Sequence, residues 1–162
     1  MTNSRKQVLM VAVYVAASML AGAALAAGGS REPEPAWGPS DPVLEKVDNL
    51  VKRSDWQGAV GVLKDAIAAA PQNSDYHNMY AYSIRKGANP NMDVVFKHYG
   101  EALRLKPDHR GAHEYIGEAY LMVDNLAKAK EHLSALDRLC TFGCEEYTDL
   151  KKAVAGYEAK KR

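Results

Sequence analysis

Apolar residues recur along this chain at helical spacing, in short runs broken by turn-forming residues. Asp41 followed by Pro42 reads as an N-cap with a first-turn proline, opening Val43, Val47 and Leu50 on one helix face. Ser54 with Gln57 predicts a capping box for a second helix. That helix carries Val60, Leu63, Ala66 and Ile67 on one face and stops at Pro71, because proline cannot extend the hydrogen-bond ladder. A third helix is expected from about Ser74, and its Tyr80, Ala81 and Ile84 are matched by Ile116, Gly117 and Tyr120, 36 positions further on. Small residues at Ala81 and Gly117 predict a close approach of the paired helix. From Glu145 onward, Tyr147, Leu150, Val154 and Tyr157 fall again at helical spacing and predict a last helix.

The runs are copies of one another. Leu50 precedes Ala59, and Tyr120 precedes Ala129, by nine residues, while Ile84 precedes Val95 by eleven. Behind each comes a second cadence: Ala59, Leu63, Ala66, Pro71; then Val95, Tyr99, Ala102, Pro107; then Ala129, Leu133, Leu136, with Thr141 in the proline position. The copies stand 36 and 34 residues apart, so two additional residues fall in the turn from Gly87 to Asn91, where an insertion leaves helix packing intact. Ile116-Gly117 with Tyr120 matches L-G-x2-Y, and Ala129 with Leu133 matches A-x3-F. On these residues the chain resembles the tetratricopeptide repeat (TPR) family, in the manner of a small exported bacterial TPR protein. It departs from the pattern in its tryptophan positions, filled by Val43, His77 and His113, in Val47 where glycine is usual, and in the missing third proline.

The resemblance implies an all-α fold, a TPR-type solenoid of about three helical hairpins over 41–139 (41–73, 74–109, 110–139), with a cysteine-containing turn and capping helix over 140–162. A lone repeat cannot bury its apolar face, so the last helix is expected to cover the end of the stack.

Ahead of the repeats, Arg5 and Lys6 precede an apolar run from Val8 to Ala27 that ends Ala24-Leu25-Ala26. This is the anatomy of a secretory signal peptide over 1–26. The alternative is an uncleaved membrane anchor, since twenty residues suffice to cross a bilayer. Either reading places the repeats outside the cytoplasm, in a bacterial periplasm. Residues 27–40, rich in proline and glycine, read as a flexible tether. Cleavage after Ala26 leaves 136 residues and takes the formal charge from +1 to −1. With acids and bases interspersed, the chain lacks the clustered cations that nucleic-acid binding needs. Lys160-Lys161-Arg162 suits a helix C-terminus, whose dipole favours cations.

Cys140 and Cys144 are an even pair in a chain that reads as exported, which makes a disulfide the first expectation. It would clamp the capping helix to the stack. A thiol-redox or copper carrier is the alternative, since Cys144 falls near a helix N-terminus, where thiol pKa values drop. Neither the C-x-x-C spacing nor a strand-helix-strand context of thioredoxin-like proteins accompanies the pair. His109 and His113 are four apart at a helix start but have no third ligand fixed by sequence, and His113 fills a packing position, so no metal site is expected there. His98 and His132 each precede a packing position by one and are expected to point outward. Nothing matches a catalytic triad, a phosphate-cradling glycine loop or a paired catalytic carboxylate motif, so neither an enzyme nor a cofactor is expected.

In TPR proteins the first helix of each pair lines a concave groove. The resemblance therefore nominates Leu44, Asp48 and Val51, then Asn78, Tyr82 and Arg85, then Glu114, Glu118 and Leu121 as partner-binding residues. Tyr82 and Arg85 lead the set, because aromatic and guanidinium groups dominate binding hot spots. Leu44 and Asp48 stand where a clamp for a C-terminal carboxylate would need Lys and Asn, which disfavours that ligand. The implied function is a non-catalytic module of the cell envelope that holds another protein or an extended peptide. A membrane-anchored assembly factor for cytochrome-type envelope proteins is the variant in which Val8 to Ala27 is retained. The membrane is a partner only in that case, and the sequence does not fix the oligomeric state.

Overall fold

The computed structural model describes residues 41–161, and the signal or anchor segment over 1–26 and the tether over 27–40 lie outside them. Among the described residues there are seven α-helices and no strand: α1 Pro42–Lys52, α2 Trp56–Ala69, α3 Ser74–Lys86, α4 Met92–Leu105, α5 Arg110–Met122, α6 Leu126–Leu139 and α7 Glu145–Lys161. None of them is long and apolar enough to cross a membrane.

Side-chain caps start the first six. Asp41 Oδ1 accepts from the Val43 and Leu44 amides ahead of α1, and Asn73, Asn91 and Asn125 do the same for α3, α4 and α6. The expected Ser54–Gln57 capping box does not form. Ser54 takes a left-handed conformation (φ 58°) to reverse the chain, and the cap passes to Asp55, whose Oδ1 accepts from the Gly58 amide at 2.9 Å. Asp124 repeats this conformation before Asn125. Along α2, Leu63 and Ala66 are buried as expected. Ala59 rather than Val60 completes the sealed row, and Val60 and Ile67 are half-buried.

Three hairpins, α1/α2, α3/α4 and α5/α6, stack in sequence, and α7 packs on α5 and α6 as the first helix of a fourth pair would. Successive first helices α1, α3, α5 and α7 touch one another, whereas α2, α4 and α6 make no contact among themselves. A stack whose members meet on one side and spread on the other is curved, with the first helices at the inner radius. One core cluster gathers around Val47, Ala59 and Leu63, a second around Val95, Tyr99 and Ile116, and a third around Leu136, Leu150 and Val154.

Gly117 corrects one expectation. The helix that needs its small size is α7 and not its hairpin partner α6, since a Cβ there would lie 2.6 Å from Leu150 Cδ2.

Candidate functional site

The inner face of the curve is the candidate site. Along it the aromatic rings run in series: Trp56 meets Tyr82 edge-on at 6.1 Å between centroids, and Tyr82 meets Tyr115 at 4.7 Å. The Arg85 guanidinium lies 5.5 Å from the Tyr82 ring centre and 5.8 Å from that of Tyr115. Burial raises the pKa of both phenols above their ordinary range, so the rings stay neutral at any physiological pH.

The nominated residues divide on burial. Arg85 is only 8 % exposed; its Nη2 donates to Glu118 Oε2 at 2.7 Å and its Nε donates to the Tyr99 hydroxyl at 3.3 Å. The side chain first in line as a free hot spot is thus a sealed strut joining α3, α4 and α5. Asn78 is buried too, and its Oδ1 finds no donor. Leu44 and Val51 pack against the first core cluster and Leu121 against the third, while Asp48 is exposed and paired with Lys52. Tyr82 and Glu118 remain half-buried on the open face.

Glu114 is 8 % exposed, and no described residue gives it a hydrogen bond or an ion pair. Burial, then the like charges of Glu118, Asp149 and Glu146, push its pKa up to about 8 against the opposing pull of Arg85. Tyr115, Trp56, Glu146 and Asp149 are members of this surface that the sequence reading did not nominate. Asp149 and Glu146 sit on α7, the capping helix.

The histidines do not gather for a metal. His109 caps α5, its Nδ1 accepting from the Ala112 amide at 3.2 Å, and its Nε2 faces Asp75 Oδ1 at 3.0 Å. His113 turns to α6. There the outward placement expected of His98 and His132 is overturned: His77 and His98 bring their Nδ1 atoms to 2.9 Å, and His113 and His132 do likewise. In each pair the other nitrogen, Nε2 of His77 or His113, lies 3.0 Å from a carbonyl, of Pro71 or Pro107 respectively. A carbonyl only accepts, so each Nε2 carries a proton, and the two facing nitrogens share a single further one. Adding a proton to both rings would break the bond and set two charges in contact.

That arrangement fixes a pH response. Burial chiefly, and the facing ring, hold His98 below its ordinary pKa and His132 down at about 4, and burial likewise lowers His113. The unfolded chain therefore binds protons first as pH falls. The stability these histidines contribute is intact above about pH 6.5 and is lost from there toward pH 4, whereas Glu114, its pKa raised by burial, stabilises the fold as pH falls. Thermal melts across this range should show the wild type losing stability relative to a His98→Gln, His132→Gln variant as pH falls. An equal slope in the two proteins would remove the shared proton from the account.

Cys140 and Cys144 are joined in a disulfide with Cα atoms 5.6 Å apart. Gly143 (φ 84°) lets the chain reverse between them, and Phe142 stands fully exposed at the tip. The Glu146 carboxylate and the two sulfurs lie within 4.8 Å of one another. With the sulfurs bonded to each other, their lone pairs serve no metal in this state.

No protein-family model and no curated relative matches the sequence. Solved structures do. The yeast Sti1 TPR2B domain, solved as a pHsp70 complex, superposes with a TM-score of 0.64 at 19% identity, covering 74% of this chain and 95% of that one. The first TPR of Spaghetti (RPAP3), bound to the HSP90 peptide SRMEEVD, gives 0.59 at 19% identity over 70% and 89%. The Yersinia enterocolitica type III secretion chaperone SycD, in complex with a peptide of the translocator YopD, gives 0.62 at 15% identity over 76% and 98%. The described residues thus have a TPR-like fold.

Proposed function

We propose that this chain is a non-catalytic, exported TPR module that grasps an extended segment of another cell-envelope protein in its inner face. The carrying observation is the half-buried Trp56–Tyr82–Tyr115 series on the side where the first helices meet. Neutral aromatic rings backed by a fixed guanidinium offer contact area at low entropic cost, which suits a partner bound by surface complementarity. Two of the similar folds named above were solved with peptides, and that supports the same use here. The periplasmic address rests on the sequence of residues 1–26.

The test is a photo-crosslinking amino acid placed at Tyr82 or, as a control, at the exposed Lys64 on α2. In intact cells the Tyr82 probe should give a discrete adduct in the envelope fraction that the Lys64 probe does not, and Tyr115→Ala should diminish it while helicity is kept. Equal adducts at both positions would show that the inner face is not the grasping surface.

A further inference from the structure

We infer that the segment held in the inner face presents a basic side chain, lysine or arginine, to Glu114. This rests on the grasping role proposed for that face and adds the chemistry of what is grasped.

Glu114 belongs to α5, and the charged groups that act on it can be named from every helix packed there. From α5 itself come Glu118 and the Tyr115 phenol, from α7 Asp149 and Glu146, and from α3 Arg85 and the Tyr82 phenol. All but Arg85 are acidic. Arg85 is already committed, one nitrogen to Glu118 and another to the Tyr99 hydroxyl. Arg110 is exposed and lies 4.0 Å from Glu146, and no ion pair joins it to Glu114. A buried carboxyl among like charges is kept at a standing cost unless a cation meets it.

A second, independent sign comes one repeat earlier. Asn78 occupies on α3 the position that Glu114 occupies on α5, 36 residues on, and its buried Oδ1 also lacks a donor. The Asn78 oxygen is sealed, whereas the Glu114 carboxylate is not, so of these two acceptors without a donor Glu114 is the one a donor-rich ligand can reach. The Tyr82 and Tyr115 rings beside it already hold one guanidinium at 5.5 and 5.8 Å, a face that attracts cations. An acidic ligand would meet Glu114, Glu118, Asp149 and Glu146 with like charge.

The cation also gives binding a signature. With its proton held up to a pKa of about 8, Glu114 must release it to pair with an ammonium or guanidinium. Affinity should rise about tenfold per pH unit as pH climbs toward that value, and level off beyond it.

The full chain is screened by fluorescence anisotropy against random-sequence decapeptides graded by charge. The strongest binder is then remade with each Lys or Arg replaced by norleucine or citrulline. Basic peptides should be selected, binding should tighten about tenfold from pH 6.5 to 7.5, and Glu114→Gln should cost at least about tenfold at pH 8 and abolish the pH dependence. The norleucine peptide should bind wild type and Glu114→Gln equally. Glu114→Gln should also melt higher than wild type above pH 8, because a carboxyl with a raised pKa loses its stabilising proton as pH rises, and this checks that the variant is folded. If apolar or acidic peptides bind best and Tyr82→Ala still abolishes binding, the groove stands and the basic ligand is overturned. The same holds if Glu114→Gln leaves the lysine preference intact. If no peptide's binding responds to Tyr82→Ala, the groove itself falls and this inference with it.

Discussion

Arg85→Ala should lower the melting temperature by roughly 10 °C, a loss of about 3 kcal/mol, even though the residue lies on the face proposed for partner binding. The guanidinium is 8 % exposed and bonded to both Glu118 and Tyr99, so truncation leaves the buried Tyr99 hydroxyl without its donor and Glu118 without its ion-pair partner. Glu118 keeps some water, its side chain being 30% exposed, which holds the cost near the lower end of that for a buried pair. Two further variants separate the electrostatic part from packing. Arg85→Lys retains the charge but cannot reach both partners as a fork does and should recover only part of the loss. Arg85→Met with Glu118→Met replaces both partners by apolar groups and should recover most of it. Melting within about 2 °C of wild type for Arg85→Ala would show the strut to be idle, and would restore this residue to the role of a free contact. Loss of partner capture in an Arg85 variant is therefore not evidence of contact unless the fold is shown to persist, whereas Tyr82 is half-buried and serves that purpose.

The helices and their pairing were legible in the sequence because each element is closed by its own local chemistry. Pro71 and Pro107 stop α2 and α4 where the repeat cadence ends, and the two additional residues between Gly87 and Asn91 lengthen one turn without disturbing its hairpin. What spacing could not reveal was which neighbour a side chain answers to. Ser54 fits a capping box by pattern, but the turn twists it to positive φ and hands the cap to Asp55. Gly117 looked like a contact for its own hairpin, yet its space is taken by Leu150 of the next helix. Burial of polar groups was the least legible, since it depends on what lies across a packed interface. A signal was nevertheless present for the histidines. His77 and His113 recur at 36 residues and His98 and His132 at 34, the intervals of the repeat itself, and residues that recur together at the period of a stack are placed to meet in each copy. Arg85 and Glu118 could have been paired in the same way. They are opposite charges 33 positions apart, one helical turn short of a full repeat, on adjacent first helices.

Leu150→Ala should cost about 3–4 kcal/mol, the range for emptying a fully buried leucine site that cannot readily collapse. Leu150 is 0% exposed and rests directly on Gly117, where no side chain exists to swing into the vacated volume. In a stack whose members contact only their neighbours, the damage should stay at one end. Hydrogen exchange should quicken first over 145–161 and then in α5 and α6, with α1 to α3 keeping their protection. Binding should weaken as well, because α7 brings Asp149 and Glu146 to the neighbourhood of Glu114. Removing the bridge by Cys140→Ser with Cys144→Ser makes the comparison that assigns roles. The loop it closes is so short that the entropic loss falls below the roughly 3 kcal/mol of a fifteen-residue loop, so the leucine should matter more than the covalent link. Uniform loss of protection from α1 to α7 in Leu150→Ala would mean that the repeats unfold as one unit, and a larger effect from the cysteine pair would mean that α7 is held by its tether rather than by its packing.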